Sequence, residues 1–586
     1  LYHHPLVHLY PSKHCHYKQS TASFHILTYR TNMLKSIPTV DYKSSTAGRR
    51  RRWLAMVSSV ALVLVATSPS LDFEGAVSRL LADAATNTTE IASSKPNMLL
   101  LVLDQWRYDW DGMTPDTPTG PLPLKMPFLE SAAKKGVRFT QAYVPAPLCG
   151  PVRACLASGK EYDECGVLVN HVDDWPVAQD TFYKLMRDQS DYDVFSCGKD
   201  DLFKDDKNFP FYSNLGGHAS VDLGFTNAMR SAGKHRVTKE HAPYERFRTF
   251  LEQSEVGNET KASAYDVYKQ CFDGPTGPDG AWSTDSLCSA DKFTSEIYPD
   301  DFVQREAVSL IANSKKDKPW FMQVNFPGPH APMMSTAEMA ASVSGRTWPS
   351  PHDSAYKHML QCPQVKGVND DVPHMGGRCN YAAELENLDK LMHNIFKYLT
   401  TVKLIDNTII CMVGDHGEML GDHEIMGKKV PWQASISVPL VCFGPGIKEG
   451  VVYKDPVTTL DLAGTFMDFA GAKPNDDMTT KSLKPFMTEG TTPPREFVSS
   501  GLFKWRLVVQ VVDDVSYKLI CCKGDCGQSP TTVPPPIGGW QLLLYDTQAD
   551  RFDMSPIEDK PDVVEKLRQN LPDGWCTDAK ISVKAT

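Results

Sequence analysis

The chain is not rich in positive charge: 61 Lys and Arg stand against 71 Asp and Glu, a formal net charge of −10. That balance gives no global reason to expect nucleic acid or an anionic membrane as a partner, so any cationic site for an anion must be local. No internal repeat is visible, which sets repeat architectures aside. The one apolar run near the N-terminus, Trp53–Ala66, is short for a membrane span. No second cysteine pair accompanies Cys521, Cys522 and Cys526, so disulfides are favoured there over a zinc knot. What is present is a chain of 586 residues, 41% hydrophobic and 23% charged. Such a chain buries a large core, and a folded enzyme of one large and one smaller domain is expected.

Residues 1–52, rich in His, Tyr, Ser and Thr without a period, read as a leader or cytosolic segment that ends in Arg49–Arg52. The apolar run and the small residues after it make 53–68 a signal peptide or an uncleaved signal anchor, with residues 53–66 as the anchoring stretch. The expected location is the secretory pathway: secreted, vesicular or lysosomal, or membrane-anchored. That route predicts oxidised cysteines and glycosylation, and the chain offers 15 Cys and two sequons, at Asn87 and Asn258. Setting aside Cys15 and Cys149 leaves an odd number of cysteines, so at least one stays unpaired and the connectivity is open.

Asn97–Leu103, Trp320–Phe326, Thr408–Val413 and Pro439–Phe443 are short, almost continuously apolar runs that read as buried strands of a parallel sheet. Helical patterns lie between them at Pro127–Gly136, Phe182–Gln189, Phe302–Ser314 and Tyr381–Leu399. The alternation implies an α/β fold, a doubly wound, mostly parallel sheet over 95–490. Shorter alternating strands at Trp505–Asp513, Ser516–Cys521 and Trp540–Tyr545, with a helix near Pro561–Gln569, imply a small antiparallel α+β subdomain over 495–580.

In open α/β sheets ligands bind at the carboxyl ends of strands. Asp104-Gln105 follows the first apolar run and Asp415-His416 follows the third, so hard oxygen ligands and one nitrogen converge there, suited to Ca²⁺, Mg²⁺ or Mn²⁺. Capping of the following helices is the alternative reading of the two Asp.

The segment Cys149-Gly150-Pro151-Val152-Arg153, running on to Gly159-Lys160, resembles the C-x-P-x-R signature of the sulfatase family, with Val152 where Ser or Ala is usual. A second match, Asp415-His416-Gly417-Glu418 through Asp422-His423 to Lys428, is similar to that family's D-H-G-E-x-L-G-D-H segment. Gly198-Lys199, His330-Ala331-Pro332, the stretch Pro456–Gly471 and the tail from Leu544-Tyr545-Asp546 to Asp553 follow in the family's order. The resemblance spans about residues 95–575 and implies the alkaline-phosphatase-like fold.

It also implies a chemistry. A sulfate ester repels nucleophiles, so the site must supply positive charge, a strong nucleophile and a proton for the leaving alkoxide. By likeness to the family, Cys149 is converted by a formylglycine-generating enzyme into formylglycine. Asp104, Gln105, Asp415 and His416 hold Ca²⁺, or alternatively Mg²⁺ or Mn²⁺, with residue 149 as a further ligand. One hydroxyl of the formylglycine hydrate attacks sulfur, and the other expels sulfate by regenerating the aldehyde. Arg153 orients the hydrate, Lys199 and Lys428 bind sulfate oxygens, and His330 assists proton transfer. The helix beginning at Cys149 is expected to aim backbone N–H groups at the anion.

Asp201 stands where many sulfatases have a proton-donating His. An ionised Asp about 4 Å from the sulfate would cost roughly 4 kcal/mol at an effective dielectric near 20. Asp201 is therefore expected to turn away, to be protonated, or to match a cationic feature of the substrate, and His218 is a candidate replacement donor. The resulting reading is hydrolysis of sulfate esters on sulfated glycans or aryl sulfates. Two alternatives stand beside it: a phosphonate monoester or phosphodiester hydrolase of the same fold, and a catalytically silent glycan-binding protein. The specificity segments are expected at Ser213–Trp282 and Met333–Arg378.

Overall fold

The computed structural model describes residues 95–577 and 579, apart from 118–119, 171–174, 177–178, 203–222, 232, 235–236, 239–245, 259–260, 274–291, 354–359, 362–375, 525 and 527–538. The leader, the apolar run 53–66, Asn87 and His218 lie outside the described residues, as do parts of both specificity segments. Asn258 is described and exposed. Among the described residues no helix is long and apolar enough to cross a membrane.

The main sheet is built from β1 (Asn97–Asp104), β2 (Gly136–Tyr143), β3 (Asp193–Gly198), β4 (Asn227–Arg230), β5 (Trp320–Pro329), β6 (Thr408–Gly414), β7 (Ser437–Phe443), β8 (Val451–Tyr453) and β9 (Val457–Thr458). The helices that cover it are α1 (Pro127–Lys134), α2 (Cys149–Ser158), α3 (Phe182–Ser190), α4 (Pro299–Ala312), α5 (Gly376–Thr401) and α6 (Asp461–Ala470). The strand order is β8-β2-β7-β6-β1-β5-β3-β4, with β9 also beside β2.

Helices on both faces explain why the central strands read as unbroken apolar runs. In β1, Met98, Leu100 and Val102 enter a core shared with α2, α3 and α6. Leu99, Leu101 and Leu103 enter the opposite core, which holds residues of α1, α4 and α5.

β1 pairs in parallel with β6 and β5, and β3 with β5 and β4. β7 is the exception. The sequence suggests another parallel strand at Pro439–Phe443, yet β7 runs antiparallel to both β6 and β2. A return to parallel needs a crossover to the far edge. Residues 415–436 instead hold only a 3-10 turn and a four-residue helix at Gln433–Ile436, and the chain re-enters the sheet from the edge it left.

The C-terminal sheet consists of β10 (Phe497–Leu502), β11 (Trp505–Val512), β12 (Val515–Lys523) and β13 (Trp540–Asp546), all antiparallel in chain order. One face, with Trp505, Leu507, Ile520 and Leu543, shares the core of α2 and α3. The other, with Val508, Leu519 and Leu544, is covered by Val564 and Leu567 of α7 (Pro561–Arg568).

Disulfides join Cys411 to Cys442, Cys521 to Cys576 and Cys522 to Cys526, so the 521–526 cluster forms disulfides. Among the described residues Cys149, Cys155, Cys165 and Cys197 are free thiols.

Candidate active site

Four parallel strands end at one edge of the sheet, and each delivers a polar residue there. Asp104 closes β1, Lys199 follows β3, His330 follows β5, and Asp415-His416 follows β6. α2 begins at Cys149 on the same edge. Ligand atoms of Asp104, Cys149, Asp415 and His416 lie within 4.8 Å of one another, and all four residues are buried. Cys149 Sγ is 3.1 Å from His416 Nε2 and 3.7 Å from Asp104 Oδ1.

Three cations close around this group. Lys428 Nζ lies 3.3 Å from Cys149 Sγ and donates to Gln105 Oε1 at 2.6 Å, which turns the Gln105 amide oxygen toward the site. The Lys199 ammonium pairs with Asp104 Oδ2 and, at 3.2 Å, with Asp201. Arg153 donates through Nε and Nη2 to Asp415 Oδ2 at 3.1 and 2.8 Å, and through Nη1 to Asn325 Oδ1 at 2.8 Å and to the Lys199 carbonyl. Arg153 thus braces three strand ends, with most of its donors committed to the protein.

The electrostatics follow from burial and these neighbours. Burial alone would push the Asp104 carboxyl up, but Lys199, His330, Lys428 and Arg153 together hold it well below the usual carboxylate range. Burial and Asp104 push the Cys149 thiol up, and Lys199, Lys428 and His416 outweigh them, so it sits well below an ordinary thiol. The position is built to carry an anion.

The donor set also fits a divalent ion. His416 Nδ1 faces the Gly417 carbonyl at 3.1 Å. A carbonyl only accepts, so Nδ1 carries a proton, and Nε2 is the nitrogen that faces Cys149 and the two Asp, the position from which it could bind an ion once deprotonated. Asp415 Oδ1 accepts the backbone N–H groups of Gln105 and His416, each at 2.8 Å, which fixes the carboxylate's direction.

Two expectations change. The first turn of α2 does not offer a row of free N–H groups: Gly150 N donates to Asn170 Oδ1 at 2.8 Å, Pro151 has no N–H, and Val152 N returns to Leu148 O. A Cβ at Gly150 would meet Asn170 Oδ1 at 2.9 Å, so a larger residue there would displace that acceptor. Asp201, for its part, is matched by the chain's own Lys199.

Sequence reasoning passed over Asn325, Asn170 and the role of Glu418. Asn325 had a signal, a polar residue inside an apolar strand; it accepts from Gln323 Nε2 as well as Arg153. Glu418 accepts from Gln105 Nε2 and from Leu420 N, so it fixes the amide that faces Lys428.

A family model described as Sulfatase matches residues 96–472, well over half of the chain. The chain belongs to the sulfatase family. The sulfatase is 22% identical over 423 residues to an arylsulfatase of Clostridium perfringens, covering 69% of this chain and 81% of that one. It is 24% identical over 561 residues to an N-acetylglucosamine-6-O-sulfatase of Bacteroides thetaiotaomicron, covering 88% and 92%. A second family model, N-sulphoglucosamine sulphohydrolase, C-terminal, matches residues 421–527. The fold is also that of a phosphonate monoester hydrolase of Agrobacterium radiobacter, with a TM-score of 0.59 at 20% identity, covering 81% of this chain and 94% of that one. The sulfatase is thus an enzyme of sulfate-ester hydrolysis with the alkaline-phosphatase-like architecture.

Proposed function

We propose that this sulfatase works through a formylglycine made from Cys149 by a formylglycine-generating enzyme. Asp104, Gln105, Asp415 and His416 would hold a divalent cation beside it, Ca²⁺ by likeness to the family and by the secretory setting, with Mg²⁺ or Mn²⁺ as the alternatives that the oxygen donors and the His nitrogen also suit. The observation that carries the reading is the buried convergence of Asp104, Cys149, Asp415 and His416 within 4.8 Å. The modified residue supplies two hydroxyls on one carbon, one for attack on sulfur and one for release of sulfate, and the ion supplies positive charge at the sulfur-bound oxygens.

The remaining roles belong to side chains of the chain. Lys428, 3.3 Å from Cys149 Sγ, and Lys199 bind the sulfate oxygens. His330 Nδ1 faces the Ala331 carbonyl at 2.6 Å and so carries the proton, leaving Nε2 to take or return a proton. Arg153 acts by holding Asp415 and the Lys199 backbone rather than by reaching the substrate.

The substrate class is sulfated glycans or aryl sulfates, supported by the likeness to an N-acetylglucosamine-6-O-sulfatase. The secretory pathway is supported by the disulfides of the described residues, Cys411–Cys442, Cys521–Cys576 and Cys522–Cys526 among them.

The test begins with the mass of the tryptic peptide Phe139–Arg153 from protein made with the modifying enzyme present. Turnover of 4-nitrophenyl sulfate is then measured with and without chelator. Formylglycine at 149 with chelator-sensitive turnover is expected; an unmodified Cys149 in a protein that still turns over would sink the mechanism. Faster turnover of an aryl phosphonate ester than of the aryl sulfate would move the preference to phosphonates.

A further inference from the structure

The segment that carries His330 reads Pro327-Gly328-Pro329-His330-Ala331-Pro332. Its three prolines have no N–H, so it has few backbone donors with which to be pinned. A buried charged cluster grips the polar handles that remain. Gly328 N donates to Asp300 Oδ1 at 2.8 Å, at the start of α4. The Pro332 carbonyl accepts from Lys234 Nζ at 3.4 Å, and Lys234 forms an ion pair with Glu384 of α5. The Tyr298 ring lies 5.9 Å from Lys234 Nζ, and its hydroxyl donates to the Met334 carbonyl at 2.7 Å. Lys234, Glu384 and Asp300 are 3%, 1% and 0% exposed.

A buried ion pair is a weak source of stability, because desolvation offsets most of the attraction; apolar residues of the same volume do as well. What charged groups add is direction. Here two of them act on backbone atoms two residues before and two residues after His330. The approach at Gly328 is close: a Cβ at that position would stand 2.7 Å from Asp300 Oδ2 and push the carboxylate aside. The turn that holds Lys234 also touches the site from its other side: a Cβ on Gly233 would lie 3.1 Å from the Lys199 side chain.

We propose that the Lys234–Glu384–Asp300 cluster is the positioning device for His330, fixing the ring against the reacting group by clamping the peptide on both sides of it. The inference rests on the role proposed above for His330. Misplacement of such a group by about 1 Å costs on the order of 100-fold in rate.

The test uses metal-replete, formylglycine-bearing protein and 4-nitrophenyl sulfate. Lys234→Met combined with Glu384→Gln removes both charges and leaves neither ion buried alone. It is expected to lower kcat by about 10- to 100-fold with KM changed less than about twofold. Asp300→Ala should lower kcat likewise, while Asp300→Asn, which keeps an oxygen for the Gly328 N–H, retains most of it. In a His330→Ala background the cluster variants should cause no further loss. A full additional loss in that background would overturn the proposal in favour of a general structural role, as would equal kcat for Asp300→Ala and Asp300→Asn. If His330→Ala alone keeps wild-type kcat, the role of His330 falls and the positioning with it. Thermal unfolding of each variant separates these outcomes from loss of the fold.

Discussion

Asp201 sits 3.2 Å from Lys199, which also answers the charge of Asp104. One ammonium is thus shared by two carboxylates beside the place proposed for the sulfate. Asp201→Asn would return Lys199's field to the anion. KM for an aryl sulfate should fall roughly tenfold, about 1.4 kcal/mol, and inorganic sulfate should inhibit more strongly. An unchanged or higher KM would mean that the anion does not feel the Asp201 charge. The residues that converge at the strand ends were legible because the chemistry expected of them dictates their types and spacing: Cys149 with Arg153, and Asp415 with His416. Their supports were not. Asn325 stood out as a polar residue in an apolar strand but nothing in the sequence named Arg153 as its partner, while Asn170 meets Gly150 from 20 residues on and Lys234 meets Glu384 of α5, contacts that exist only once these elements have packed.

At the scale of elements, continuous apolar runs revealed β1, β5 and β6, whose two faces are both covered. β2 escaped because its Arg138, Thr140 and Gln141 break the pattern; in place, Arg138 pairs with Asp111 at 2.8 Å and Thr140 donates to the Tyr453 carbonyl at 3.1 Å. The direction of β7 was invisible for a different reason, since an apolar run carries no mark of polarity. Its reversal puts Cys411 directly opposite Cys442. That disulfide closes a loop with a sequence separation of 31, which in the chain-entropy account stabilises by about 3–4 kcal/mol. Replacing both cysteines by Ala should lower the denaturation midpoint accordingly without moving the main-sheet strands. An unchanged midpoint in urea would show that the loop is already confined in the unfolded chain.

For the whole molecule, burial drives several carboxyls upward. Asp300, Asp301 and Asp389 are pushed up to about 6, and Glu161 and Glu384 to about 7. Their folded values lie above the unfolded ones, so between about pH 4 and 7 the folded chain holds more protons than the unfolded chain. Stability gained from these groups is fully present below the unfolded carboxylate range near 4 and is lost as pH rises through 6 and 7. His393, lowered by burial, works against this. The melting temperature should therefore be higher at pH 5 than at pH 7.5, and a lower one at pH 5 would show that these carboxyls ionise in the folded protein much as they do when unfolded. The C-terminal sheet shows how far pattern reading reaches at this scale. Its alternation was plain, but both of its faces are apolar, because one joins the core of α2 and the other is covered by α7.

The reversed strand and its disulfide also bear on what a protease can do. Asp415, His416 and Lys428 all lie between Cys411 and Cys442, on a stretch whose most exposed residues are Glu424 and Met426. A single cut at that tip would divide the chain but not the molecule, because the two pieces remain tied across the base of the loop. Nicked enzyme should migrate as one band without reductant and as two with it. Its loss of activity should then follow the addition of thiol rather than the cleavage itself.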